Sequence, residues 1–317
     1  MERRPLGNTG CMVSRLGLGT ATWGTSTADD DAGLQLSTFV DAGGTLVDAA
    51  GSEAISLLGK LLGDPGLRSD IFLVVRSGTT ADSDRPIDTS RPALREAIDR
   101  ILAHLGGTHV DLWMLDGWDA RTPLDETLSS LSEIAHSGRA HYVGLSNLAG
   151  WQLALAATRA EGSPHHLTIA AVEYEYSLLQ RDIEAEVLPA CRELGIGLLP
   201  WAPLGRGVLT GKYRHGTPPD SRGASESHGP AVRAYLGDRH RRIVEGVGRA
   251  AEGLGVSPAE IALSWVRDRP GVVAPVIGAR TIHHLRSALA GDSLTLPAEI
   301  RSALDELSAP AVGYPAG

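Results

Sequence analysis

Short, almost wholly apolar runs recur along the chain, and most are followed by a stretch whose apolar positions carry helical spacing. The runs are Ser14–Thr20, Thr45–Asp48, Ile71–Arg76, Val110–Asp116, Tyr142–Ser146, Thr168–Glu173, Gly197–Trp201 and Val272–Ile277. Continuous apolarity over such lengths predicts strands buried on both faces, as in a parallel sheet. Between them, Arg91–Leu105 puts Leu94, Ile98, Ile101 and Leu105 on one helical face, and Thr127–Ser137 and Ile183–Leu194 read the same way. Ser257-Pro258-Ala259-Glu260 opens a further helix with a capping box and a proline at the first helical position. The alternation predicts an α/β fold of the (β/α)8, or TIM barrel, type. Leu6–Gly10 predicts a β-hairpin turn ahead of the first strand, placed to plug the bottom of the barrel. The polar segment 211–237 breaks the alternation and is expected as a long loop over the C-terminal face. No domain boundary is visible, so 1–317 reads as one domain.

Composition narrows the function classes. A formal net charge of -9 argues against nucleic acid or an anionic membrane as partner, leaving a small-molecule substrate. Cys11 and Cys191 form no paired motif, and single histidines such as His109 and His141 show no ligand spacing, so neither a disulfide framework nor a metal site is expected. The first residues carry charge without an apolar run, and no stretch is apolar enough to span a bilayer. The expectation is a cytoplasmic protein; the pattern assigns no oligomeric state.

In a TIM barrel the chemistry sits at the C-terminal ends of the strands. Those ends hold Asp48, Arg76, Asp116, Ser146 with Asn147, Glu173, Trp201 and the Gly278-Ala279-Arg280 turn. Charges brought together at buried strand ends are costly unless paired or used. Asp48, Arg76 and Asp116 are the candidate catalytic set: two carboxylates for acid–base work, with an arginine to hold one ionised or to bind an oxyanion. Trp23 and Trp118 flank the expected mouth and are candidates for an apolar substrate pocket.

The motifs Arg15-Leu16-Gly17-Leu18-Gly19-Thr20, Val143-Gly144-Leu145-Ser146-Asn147 and Glu175-Tyr176-Ser177-Leu178-Leu179-Gln180-Arg181 occur in that order. Trp201-Ala202-Pro203-Leu204, Gly207-Val208-Leu209-Thr210-Gly211-Lys212-Tyr213 and Gly278-Ala279-Arg280 follow them. Together they make the chain resemble the aldo-keto reductase superfamily, on the branch of potassium-channel β subunits and bacterial reductases. The resemblance implies NADP(H) bound across the C-terminal face. Ser146, Asn147 and Glu173 would lie at the nicotinamide. Trp201, Pro203 and Leu204 would wrap it and the pyrophosphate, and Lys212, Arg222, Gly278 and Arg280 would stand at the phosphates. It also implies an Asp, Tyr, Lys and His tetrad. Asp48 matches the aspartate. Arg76 stands at the lysine position and Asp116 at the histidine position, and no tyrosine occurs between Asp48 and Gly59.

A missing general acid typically costs about 10²–10⁴-fold. The first reading is therefore a non-redox acid–base enzyme acting by elimination, ring opening or cyclisation on a small organic substrate of natural-product type. The alternatives are an NADPH-dependent carbonyl oxidoreductase with a substitute proton donor and a non-catalytic NADP(H)-binding regulatory protein.

Overall fold

The computed structural model describes residues 1–63, 65–78, 85–162, 166–226 and 228–310. β1 (Arg3–Pro5) and β2 (Met12–Ser14) pair antiparallel as the N-terminal hairpin. Eight parallel strands follow: β3 (Gly17–Gly19), β4 (Leu46–Ala49), β5 (Phe72–Ser77), β6 (Val110–Asp116), β7 (Ala140–Ser146), β8 (Ile169–Glu175), β9 (Gly197–Trp201) and β10 (Val276–Gly278). β10 pairs with β3, and a bridge from Leu198 to Val272 brings the last crossover back to β9, so the sheet nearly closes as a (β/α)8 barrel.

Two apolar layers hold it. Inside, Leu46, Val74, Leu112, Met114, Ala171, Leu199 and Val276 meet Leu6 and Val13 of the hairpin. Leu6 is fully buried, and the Asn8 backbone amide donates to the Gly195 carbonyl at 2.7 Å, so the hairpin is stitched to the barrel floor. Gly7 sits there at φ +56°, and a Cβ would come within 2.6 Å of the Ala170 and Gly195 carbonyl oxygens. Outside, the strands pack against the helices through a larger cluster that includes Phe39, Trp113, Leu131, Tyr176 and Trp265.

The helix expected over Arg91–Leu105 has those bounds, and the capping box at Ser257 forms in both directions with Glu260. The stretch Ile183–Leu194 is instead a short 3-10 turn, Asp182–Glu184, followed by a helix from Val187, with Glu186 in a non-helical conformation between them. The eighth strand is shorter than the apolar run. Val273 donates to Leu198, and Pro275 has no N–H for a ladder, so strand geometry begins only at Val276. Within 211–237, Ser227 lies outside the described residues; the rest holds a 3-10 turn at Arg222–Ala224 and a short helix at Gly229–Arg233.

The position of Leu6 makes it a sensitive test of the floor. Leu6→Ala is expected to lower unfolding stability by about 2–4 kcal/mol, measured by denaturant titration. A loss below 1 kcal/mol, on the order of a surface change, would mean the hairpin does not seal the barrel.

Candidate active site and nucleotide groove

Period-two alternation carries the interior apolar positions upward into the charged ones. Leu46 leads to Asp48, Val74 to Arg76, Met114 to Asp116, Ala171 to Glu173 and Leu199 to Trp201. The strands thereby place five candidate side chains in one ring at the C-terminal end of the barrel.

The ring pairs only in part as its sequence suggests. The Arg76 guanidinium lies 3.5 Å from Asp48 Oδ2 and 3.3 Å from Glu173 Oε2. Its ion partners are therefore Asp48 and Glu173, while Asp116 accepts a 2.7 Å hydrogen bond from Asn147 Nδ2. Asp116 acts on the cluster by its charge. Asp48 and Glu173 are buried, and Arg76 is the member that reaches solvent, with 19% of its side chain exposed. The ion contacts lack hydrogen-bond geometry. Asp48 Oδ1, Arg76 Nε and both Glu173 carboxylate oxygens have no hydrogen-bond partner among the described residues.

One cation thus faces two buried carboxylates. Burial, and then the neighbouring charge of Asp48, push the Glu173 carboxyl well above its ordinary range, against the pull of Arg76. Burial also raises Asp48, which Arg76 pulls back down. Burial disfavours the charge on Arg76, but Asp48 and Glu173 more than offset it and keep the guanidinium charged. Glu173 is thus a carboxyl whose charged form the cluster disfavours.

Around this cluster the strand ends are fastened to one another. Asn147 adopts the left-handed region at φ 58°, donates to Asp116, and accepts from Trp201 Nε1 at 3.3 Å. The Ser146 hydroxyl donates to the Glu173 carbonyl at 3.0 Å, and the Asn147 amide donates to the same oxygen. Glu175 takes a two-point contact from Arg206, at 3.1 and 2.8 Å, and accepts from the Tyr235 hydroxyl at 3.0 Å. Arg206 also covers the Trp201 ring, 5.1 Å from its centroid.

Beside the ring lies a groove of about 360 Å³. It gathers Pro203, Leu204, Lys212, Arg222, Gly278 and Arg280 from separate stretches of sequence. Among the described residues, Lys212, Arg222 and Arg280 have no ion-pair partner; Arg280 donates to the Asp220 backbone carbonyl at 2.6 Å. Burial, then the charges of Arg280 and Arg206, lower Arg222. Burial likewise lowers Lys212, with Arg280 and Arg222 adding to it and Tyr213 and Asp220 opposing. Two helix N-termini reach the same groove, through Pro258 of the Ser257-capped helix and His283 of the Thr281-capped one. Crowded cations beside helix N-termini are the chemistry of a phosphate-binding surface.

The two tryptophans expected in a substrate pocket lie elsewhere. Trp23 is fully buried and donates to Gln35 Oε1 at 3.3 Å, so it belongs to the core. Trp118 lines a small gap with Leu115, Leu128 and Leu148 and stacks at a tilt on Trp151, away from Arg76. Sequence reading missed Arg206, Glu175 and Tyr235. Arg206 carried a signal: it stands between Gly205 and Gly207, and its φ of 57° shows how far the turn must bend.

A nearly closed eight-stranded barrel with a charged ring at its C-terminal end and a cationic groove beside it is a TIM-barrel protein. The Aldo/keto reductase family model matches residues 15–309, and the chain belongs to that family. It is 33% identical to "Uncharacterized oxidoreductase YrpG" of Bacillus subtilis (strain 168), over 97% of this chain and 96% of that one. It is 32% identical to "Probable voltage-gated potassium channel subunit beta" of Oryza sativa subsp. japonica, over 88% of this chain and 87% of the other. It is 28% identical to versiconal hemiacetal acetate reductase of Aspergillus parasiticus, over 72% of this chain and 66% of that protein.

The raised Glu173 carboxyl has a measurable consequence. Its contribution to stability is fully present below about pH 4.3, the ordinary glutamate value, and is lost as pH rises through its elevated folded value. Glu173→Gln keeps the shape and removes the charge. The variant is expected to be more stable than the parent at pH 8 by about 1–3 kcal/mol, with the advantage shrinking toward pH 5. Equal urea midpoints at both pH values would show that Glu173 carries no buried charge penalty.

Proposed function

We propose that this chain binds NADP(H) in the cationic groove and reduces the carbonyl group of a small organic substrate at Arg76. The observation that carries the reading is the crowding of Lys212, Arg222 and Arg280 in one groove with no ion-pair partner among the described residues. Such a groove favours an anion with several phosphates over an empty structural role. It reverses the order in which the sequence ranks the redox and non-redox readings.

The residues fit the cofactor at both ends. Lys212, Arg222 and Arg280 would hold its phosphates, and Asn147, Trp201 and the orphaned Glu173 carboxyl would border its nicotinamide. When bound, the cofactor supplies hydride to the carbonyl carbon. The chain's own part is electrostatic. Arg76 is the exposed member of the buried cluster, and its charge is set to hold a carbonyl oxygen as that oxygen gains negative charge. Glu173 is fully buried beside it, and burial works against the negative charge that would neutralise Arg76. No tyrosine takes the donor role of the family tetrad in this reading; the alkoxide receives its proton from water at the open mouth. Arginine does not shuttle protons, so Arg76 stabilises charge and does not act as the acid.

A second reading is favoured by one observation. Asp48 and Glu173 are two buried carboxyls sharing one guanidinium, both raised by burial, and paired carboxyls of this kind can serve acid–base steps without hydride. The two readings separate on cofactor dependence.

Titrating NADPH against tryptophan fluorescence is expected to give saturable binding, and Lys212→Ala with Arg222→Ala is expected to weaken it by at least about 10-fold. No saturation at about millimolar cofactor would remove the redox reading. With a panel of aldehydes and aromatic ketones, NADPH oxidation at 340 nm is expected, and Arg76→Met should lower kcat by about 10²-fold or more while Glu173→Gln retains turnover. Substrate consumption in the absence of nicotinamide would instead establish the acid–base reading.

A further inference from the structure

At the N-terminal end of the barrel, far along the strands from Arg76, His109, Asp111 and His141 each offer one ligand atom, and these atoms lie within 4.8 Å of one another. The register explains the meeting. Val110 of β6 pairs with Ala140 of β7, so the residues that follow, Asp111 and His141, emerge side by side, and His109 precedes Val110. The two imidazole rings lie 4.3 Å apart and 24° from parallel.

We propose that His109, Asp111 and His141 form a binding site for a divalent transition-metal ion of the zinc, nickel or copper class. Two imidazole nitrogens with one carboxylate oxygen suit those ions, whereas calcium and magnesium require oxygen ligands. The carboxylate is already oriented. Asp111 Oδ2 accepts from the Leu73 amide at 2.8 Å and contacts Arg68 at 2.9 Å, while Oδ1 faces His141 Nδ1 at 3.5 Å. Oδ2 is thus engaged by the protein and Oδ1 is turned toward the histidines. The Thr108 hydroxyl lies 3.3 Å from His109 Nδ1, which fixes that ring by its inner nitrogen and leaves Nε2 for a metal. Tetrahedral zinc brings ligand atoms to about 3.3 Å from one another, so the donors must draw together by up to about 1.5 Å. The His141 side chain is 49% exposed and has room to turn. The remaining coordination positions fall to water. Sequence spacing gives no hint of the site because its donors come from neighbouring strands, not from one helix or loop.

The site touches neither the groove nor Arg76, so its effect is on stability, through binding that favours the folded state. The test uses the full chain, freed of tags and stripped with a chelator. Zinc titrated calorimetrically is expected to bind with about one equivalent at micromolar Kd or tighter, and cobalt to develop visible ligand-field absorption. A hundredfold excess of zinc over Kd should raise Tm by a few degrees. His141→Ala should weaken binding by at least about 10-fold and abolish the Tm rise, while leaving the metal-free Tm unchanged, because the ring is half exposed. His109→Gln is the second variant should His141→Ala fail to fold, and His136→Ala should bind as the parent does. Binding well below one equivalent, or undiminished binding in both ligand variants, would overturn the proposal.

Discussion

Two carboxylates and one guanidinium share the water-poor end of this barrel, and the surplus negative charge governs what the site becomes. Asp48 and Glu173 are buried within reach of Arg76, which cannot hydrogen-bond both of them well. Without a counter-charge each carboxylate would cost several kcal/mol, on the order of 3–5 for a broken buried pair. Burial works against the charge on Glu173 and so lessens the imbalance, and Arg76 is the member of the cluster that reaches solvent.

The barrel was largely legible in the sequence, because continuous apolar runs are what strands covered on both faces require. The site was legible by position but not by partner. Asp48, Arg76, Asp116 and Glu173 were identifiable as strand ends, yet the contact between Arg76 and Glu173 runs across the barrel from β5 to β8, which are not neighbours in the sheet. Sequence order places side chains around a ring; it does not say which of several carboxylates a long guanidinium reaches. The same limit applies to Asp116, which adjacency suggested as an Arg76 partner and which Asn147 engages instead. Trp23 misled for a different reason: it follows the first strand toward the mouth, but its indole finds Gln35 of the next helix and turns inward.

The groove shows the opposite case. Its cations lie on two loops far apart in sequence, and nothing in their local spacing relates them. Resemblance to a family brought them together, and the fold places them on one surface. Their mutual repulsion raises the free energy of the empty groove, so an anion that settles there relieves strain already present. Local pattern alone would have scored the same residues as solvated loop cations.

The hairpin floor has a consequence for how the cluster meets a ligand. Leu6 and Val13 pack into the inner apolar layer and cover the floor of the barrel. Asp48 and Glu173 are buried at the other end, and Arg76 is the member of the cluster that reaches solvent. A molecule arriving at the mouth therefore meets a guanidinium before either carboxyl, so a site with more acids than bases shows the solution its cationic side.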